Sequence, residues 1–424
     1  MREFKTFTPE HLLPLVMTVF PKLVDQERCL ILYDKINWFS SLDKNKDTKG
    51  ANISKLYMRS ILGGTDKTNK IVNALKRLNI IGSQVRTEID ENGVAICKES
   101  YQPGNFAKCY FIKPEFVLNN KNLRCRKVTE KKNIDALERA KQRTLFNKKL
   151  KHKKYKHILD NFEKIGIDAE AAERFIQTEF KDISNSKYFK IILPVQKISE
   201  GMVDFIRGNN GRLITTFTNL KRELRKFLFD KTDGSFDFVE IDISNCQPLL
   251  ATIYFEQHYP EYTDRKDFQG WKELCQTGQL YESLTEGTDF DRQFIKDRFM
   301  DVLLFTAKNK TYLLEDKNWN NENQLKKKFI EHFVSKFPTI WELLLLVKEK
   351  IGNREFAKRI QKMESDLMID SVLVDLYNCQ TNFSIHDSIV CRSSDKDFVK
   401  EKIKAVFLEK QNYLINLKEK NLYS

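Results

Sequence analysis

The chain has 424 residues, of which 41 % are hydrophobic and 31 % charged, with a formal net charge of +14. That length holds two or three domains with cores of their own, and the balance is that of a soluble globular protein rather than a disordered or fibrous one. The longest apolar run, residues 343–347, is far too short to span a bilayer, no signal-peptide pattern opens the chain, and the eight cysteines form no CxxC pair or zinc-spaced group. A membrane partner, a disulfide frame and a structural metal are therefore not expected, and a cytoplasmic location is.

Residues 1–45 read as helical, and 43–50 (DKNKDTKG) as a polar loop. Residues 53–62 form a short helix pattern that Gly63-Gly64 breaks. Asp66 is placed to cap a second helix carrying Ile71, Ala74, Leu75 and Leu78 on one face. Residues 80–87 and 94–99 are β-like and joined through Asp90-Glu91-Asn92-Gly93, a hairpin signal, and a third β-like run covers 107–112. Helix, turn, helix, hairpin is similar to a winged-helix domain, in which the second helix commonly enters a DNA groove. Lys67, Lys70, Lys76 and Arg77 fall on or beside that helix and Lys98 in the wing. The alternative is a small protein-interaction domain with ordinary solvating lysines.

The charge excess is concentrated. Residues 121–158 hold fifteen Lys/Arg against three Asp/Glu, a net +12 in one window. A run this one-sided repels itself unless a polyanion lies against it, and nucleic acid is the usual answer. Residues 131–180 read as basic helix with a broken apolar stripe at Ile134, Leu137, Ala140, Leu145 and Leu150. Such helices track a duplex backbone without reading sequence.

Two later stretches, 236–250 (FDFVEIDISNCQPLL) and 383–390 (FSIHDSIV), each deliver one aspartate where an apolar, β-prone run meets a turn. A lone aspartate there ordinarily just ends a strand. Two on adjacent strands, Asp242 and Asp387, are placed to hold a pair of divalent ions about 3.5–4 Å apart, the arrangement that steadies attacking and leaving oxygens in phosphoryl transfer.

Other motifs surround these two. Gly211-Arg212-Leu213 precedes Thr218-Asn219-Leu220 and Leu224-Arg225. Asp242-Ile243-Ser244-Asn245-Cys246-Gln247 follows. Arg292, Lys296 and Met300 are spaced i, i+4, i+8 along one helical face, where a guanidinium and an ammonium can both face a triphosphate. Gln361 lies in RIQKMESDLM after the helix announced by Phe337-Pro338, and His386-Asp387-Ser388 comes last. In this order the motifs resemble the polymerase core of family A DNA polymerases, the polymerase I type, and of the related single-subunit phage RNA polymerases, over about residues 200–424.

The resemblance implies roles. Asp242 and Asp387, with the Ile243 carbonyl, are the metal ligands for two Mg²⁺ ions, Mn²⁺ being the alternative. Arg292, Lys296, Met300 and Gln247 contact the nucleotide, with Lys296 also protonating the leaving pyrophosphate. Arg212, Gln361 and His386 contact the primer-template. The family's tyrosine after the fingers helix is Leu304-Phe305 here. The glutamate that excludes a ribose 2′-OH is Gln247, so the choice between dNTP and rNTP stays open. Asp168-Ala-Glu170 has the form of one proofreading-exonuclease motif but lacks its companions, and no proofreading domain is expected.

The expected fold is α+β: a right-hand polymerase of palm, fingers and thumb with an N-terminal winged-helix-like domain. It divides into 1–120 (winged-helix-like, nucleic-acid-binding), 121–199 (basic helical thumb) and 200–424 (palm, with fingers inserted at about 256–355). The expected function is a template-dependent nucleotidyltransferase on a DNA primer-template or RNA/DNA hybrid, foremost a DNA-directed DNA polymerase of a phage, plasmid or mobile element. The alternatives are a single-subunit RNA polymerase or primase-like enzyme, and a non-catalytic replication initiator with a relic polymerase fold.

Overall fold

The computed structural model describes residues 4–42, 51–83, 85–89, 95–99, 108–118, 123–180, 185–304 and 321–423, in a mixed helix-and-sheet fold. They fall into two compact units: Met1–Lys153, Gly166–Val203 and Leu220–Phe227 form the first, and Lys154–Ile165, Asp204–Asn219 and Leu228–Ser424 the second. The expected boundary between 120 and 121 is therefore not observed. The reason is the apolar stripe of the basic helix Lys131–Lys151: Leu137, Ala140 and Ile134 join the N-terminal core with Tyr33, Ile61 and Leu75.

The first unit is built on the helix Leu23–Leu42, in which every residue from 27 to 36 is buried. Its Glu27 carboxylate accepts from the backbone N–H groups of Thr129 (2.7 Å) and Glu130 (3.1 Å), which places a negative charge at the start of the basic helix, where the dipole favours it. Residues 1–45 are not all helical, because Lys5–Pro9 is a strand paired antiparallel with Leu123–Lys127. The pairing partner lies more than a hundred residues away, so local periodicity could not announce it.

Helices Lys55–Leu62 and Thr65–Arg77 follow one another across Gly63-Gly64, both at positive φ (82° and 127°). Ser54 caps the first, accepting from Tyr57 N–H at 3.1 Å. The second is capped by Gly64 rather than Asp66, which sits inside the first turn. Val85–Ile89 and Ala95–Glu99 pair antiparallel, the expected turn at Asp90-Glu91-Asn92-Gly93 lying outside the described residues, and Ala51–Ile53, Lys108–Ile112 and Ile81–Ser83 form a three-stranded sheet. Lys70 is engaged within the unit by Asp25 at 3.0 Å and Lys76 by Ser83 at 2.8 Å. The helical reading of 131–180 is interrupted by the buried strand Ile165–Ile167. Asp168 is an N-cap, accepting from Ala171 N–H at 3.0 Å, which gives the Asp-Ala-Glu sequence a structural use.

The second unit centres on a four-stranded antiparallel sheet, in the order Asn382–Ile385, Ser388–Arg392, Phe238–Ile243, Leu417–Asn421. Helix Lys396–Gln411 packs on it, and helix Cys246–His258 packs against Asn353–Leu367. Between them the chain makes a mostly helical excursion, Lys266–Thr277, Leu280–Thr285, Arg292–Arg298, Asn321–Lys336 and Pro338–Ile351, with Trp271, Phe299, Phe333 and Phe337 stacked edge and face in its core. Among the described residues no helix is long and apolar enough to cross a membrane.

Candidate active site

The strand Phe238–Ile243 follows from its alternation: Val239, Ile241 and Ile243 are buried on one face, while Glu240 and Asp242 are half-buried on the other. Its register sets Asp242 opposite Ser388, the residue after Asp387. Asn382–Ile385 and Ser388–Arg392 are joined by the two-residue turn His386-Asp387, with Ile385 paired to Ser388. Two-residue hairpins demand positive φ, and His386 adopts +57°. That conformation costs a non-glycine residue roughly 1–2 kcal/mol, which the flanking ladder offsets. Ser388 Oγ pins the crossing, 2.7 Å from Glu240 Oε1 and 2.8 Å from the Ile385 carbonyl.

The two aspartates thus share one end of the sheet, where the Asp387 charge makes Asp242 harder to ionise. Burial first, then the charges of Asp387 and Glu240, push the Asp242 carboxyl up to about 7, against the opposing pull of Lys296 and a backbone hydrogen bond from Ile243. Burial likewise pushes Asp387 up, against its own backbone, His386, Arg212 and Lys296. A divalent cation would relieve this repulsion, so the donor set fits one. Among the described residues no three His, Cys, Asp or Glu side chains group as a metal centre. A cation there would complete its shell from the backbone, water and substrate, as Mg²⁺ commonly does.

This electrostatics has a measurable consequence in metal-free protein. A carboxyl whose folded-state pKa is raised from the ordinary 3.8 to about 7 favours folding below about pH 4, and that contribution is lost as pH rises through 7. Asp242→Asn, which cannot ionise, is therefore expected to be more stable than wild type at pH 8 by on the order of 2–4 kcal/mol, with the difference vanishing near pH 4. Thermal melts in a chelator across that range measure it. A difference independent of pH would refute the shared, buried site.

The helix Arg292–Arg298 is started by Asp291, whose carboxylate accepts from Phe294 N–H at 2.7 Å. Lys296 is exposed, and its charge reaches both aspartates. Arg292 lies one turn earlier, and its Nε donates to Glu282 Oε1 at 2.6 Å while its guanidinium lies 5.6 Å from the Tyr281 ring. Met300 stands in the π-helical turn Phe299–Leu304, partly exposed, and Leu304 is buried. Phe305 lies outside the described residues.

Arg212, Gln247 and a residue that sequence reasoning missed, Glu364, form one network. Arg212 donates twice to the Glu364 carboxylate, Nε to Oε1 at 2.8 Å and Nη2 to Oε2 at 2.6 Å, and Gln247 Nε2 donates to Oε2 as well. Glu364 is 1 % exposed, and burial pushes its carboxyl up to about 6 even with Arg212 pulling down. Gln361, one turn earlier on the same helix, accepts from Asn210 Nδ2 at 2.7 Å. Gly211 lets the backbone approach: at φ +78° a Cβ there would lie 3.0 Å from Ser365 Cβ. The signal for Glu364 was its i, i+3 spacing from Gln361, which puts both on one helical face.

No family model and no curated protein matches the chain. Among solved structures it is similar to the POL domain of Pol1 from M. smegmatis, determined in complex with DNA primer-template and dNTP, with a TM-score of 0.33 and 10 % identity over 59 % of this chain. The chain spans 55 % of that structure's length.

Proposed function

We propose that the second unit carries a template-dependent nucleotidyltransferase centre, foremost a DNA-directed DNA polymerase without proofreading, acting on a primer-template with Asp242 and Asp387 as its central pair. The observation that carries the reading is the Asp242↔Ser388 register, which brings two carboxyls, both raised by burial, to one end of the sheet within reach of the Lys296 charge. The motif order from Gly211 to Ser388 supports the same assignment.

Asp242 and Asp387, with the Ile243 carbonyl, would hold two Mg²⁺ ions, or Mn²⁺, which when bound supply activation of a primer 3′-hydroxyl and charge neutralisation at the phosphates. The protein's own residues position and neutralise. Lys296 faces β/γ-phosphate charge and donates a proton to the departing pyrophosphate. Arg292 adds a second positive group on the same helical face, and because Glu282 now occupies its guanidinium, phosphate binding there exchanges one anion for another. Met300 packs beside the base. Arg212 is held against Glu364, and this bidentate pair with Gln247 and Gln361 forms the wall on which the primer-template would rest.

In this reading the excursion at about 256–355 serves as fingers, the basic helices as thumb, and the helix–turn–helix with its hairpin as a winged-helix-like nucleic-acid module. A phage, plasmid or mobile-element replication enzyme of the cytoplasm is the matching setting. Gly211-Arg212-Leu213 favours DNA synthesis, whereas Met300 and Ser388 favour the RNA polymerase branch. Extension of a labelled primer-template by the purified chain with Mg²⁺, with dNTPs and rNTPs in separate tubes, tests the proposal. Extension is expected with dNTPs, at least about tenfold faster than with rNTPs, a ratio worth 1.4 kcal/mol. Extension in neither tube, with tight duplex binding retained, would favour the non-catalytic initiator.

A further inference from the structure

A groove of about 470 Å³ lies in the first unit between helices Lys55–Leu62 and Thr65–Arg77, within the size range of small-ligand sites. Its floor is apolar: Met58, Val72 and the Tyr110 ring are all buried. Its polar lining comes from two helical faces, Lys55 and Arg59 at i, i+4 on one, and Asn69, Asn73 and Lys76 at i, i+4, i+7 on the other. Three cations converge with no carboxylate among the described lining residues. Arg59 Nε is buried with no hydrogen-bond partner among the described residues, and a buried donor left so is costly. Lys76 is fixed in place by Ser83 Oγ at 2.8 Å, its ammonium 5.9 Å from the Tyr110 ring centre.

We propose that this groove is a nucleotide-binding site, separate from the aspartate pair: the phosphate lies against Lys55, Arg59 and Lys76, the base over the apolar floor, and its polar edge against Asn69 and Asn73. Each part of the lining answers one part of that ligand. Converging cations without a carboxylate call for an anion. A floor of Met58, Val72 and Tyr110 would stay wet under a bare phosphate but is covered by a planar base. Carboxamides present a donor and an acceptor together, the pair that matches a base edge. A free mononucleotide and one unit of a single strand share this chemistry.

The test uses the full chain in a chelator at about 0.15 M salt, where exposed long-range charge is largely screened. The probes are a fluorescent N-methylanthraniloyl ATP and a 5′-labelled single-stranded 12-mer, each titrated by anisotropy against wild type, Asn73→Asp and Gln177→Glu. Asn73 is exposed, so its near-isosteric replacement keeps the fold, which an unchanged melting temperature verifies. Gln177, exposed on helix Ala169–Glu179, makes the same charge change outside the groove. Saturable binding of either probe that Asn73→Asp weakens about tenfold and Gln177→Glu leaves unchanged is the expected result. Weakening for the 12-mer alone identifies the ligand as a strand, and weakening for both identifies a free nucleotide as sufficient. No saturable binding, or equal weakening by both substitutions, overturns the proposal. Neither probe result depends on primer extension, so this site and the aspartate pair stand or fall separately.

Discussion

Asp242→Ala and Asp387→Ala are each expected to lower nucleotide addition by on the order of 10³-fold or more while changing duplex affinity by no more than about twofold. The two effects separate because different parts of the chain produce them. Affinity for a polyanion grows with the number of phosphates neutralised, and the window 121–158, with its net +12, is the main reservoir of positive charge. The aspartates work against affinity, since they place negative charge where phosphates would approach. Loss of activity in these variants is not loss of fold. Asp387→Ala removes one of the charges that, after burial, raise the Asp242 carboxyl, and Asp242→Ala removes a buried carboxyl that is costly to ionise, so the metal-free protein is expected to melt no lower in either variant. Primer extension, filter binding and thermal melting on the same preparations distinguish the outcomes. A variant that extends primers at the wild-type rate ends the two-carboxylate assignment. A variant that loses duplex binding in parallel with activity shifts the aspartates to a structural role.

What could be read in advance was local, and what could not was paired at a distance. Asp242 stands out in FVEIDI because the alternation of apolar and acidic residues is the strand pattern itself. The turn at His386-Asp387 stands out because two polar residues split an apolar run. That these strands are neighbours rests on the order of motifs, since the 144 positions between the two aspartates carry no pairing signal. The strand Lys5–Pro9 was hidden for the same reason, its register being set by Leu123–Lys127. Gly64 displaced Asp66 as the cap because the positive φ at 63 and 64 starts the helix two residues sooner than side-chain chemistry suggests. Glu364 was not legible as the partner of Arg212, because an acidic residue on an amphipathic helix looks like any solvated one until the fold buries it, and Glu282, which stays half-exposed, carries no local mark of its pairing with Arg292.

Glu364 therefore gives the second large expectation: Arg212→Ala should destabilise the second unit by about 3–5 kcal/mol at pH 8, and Glu364→Gln by no more than about 1. The asymmetry follows from exposure. The Arg212 side chain is 25 % exposed and the Glu364 side chain 1 %, so deleting the arginine strands a buried carboxylate, whereas neutralising the glutamate leaves a cation that water can reach. Acidity supplies the check. With Arg212 present, Glu364 already titrates near 6, above its ordinary 4.5, so its carboxyl favours folding most below about pH 4.5 and that contribution is lost as pH rises through 6. Without Arg212 the folded-state pKa climbs further, the loss deepens at alkaline pH, and protonation at pH 5 removes most of it. Melting curves of wild type, Arg212→Ala and Glu364→Gln at pH 5 and pH 8 read this directly. Arg212→Ala should trail wild type by on the order of 10 °C at pH 8 and close most of that gap at pH 5, while Glu364→Gln stays close to wild type at both. An Arg212→Ala deficit of equal size at the two pH values would mean that the lost packing of the arginine stem, rather than the stranded carboxylate, carries the cost.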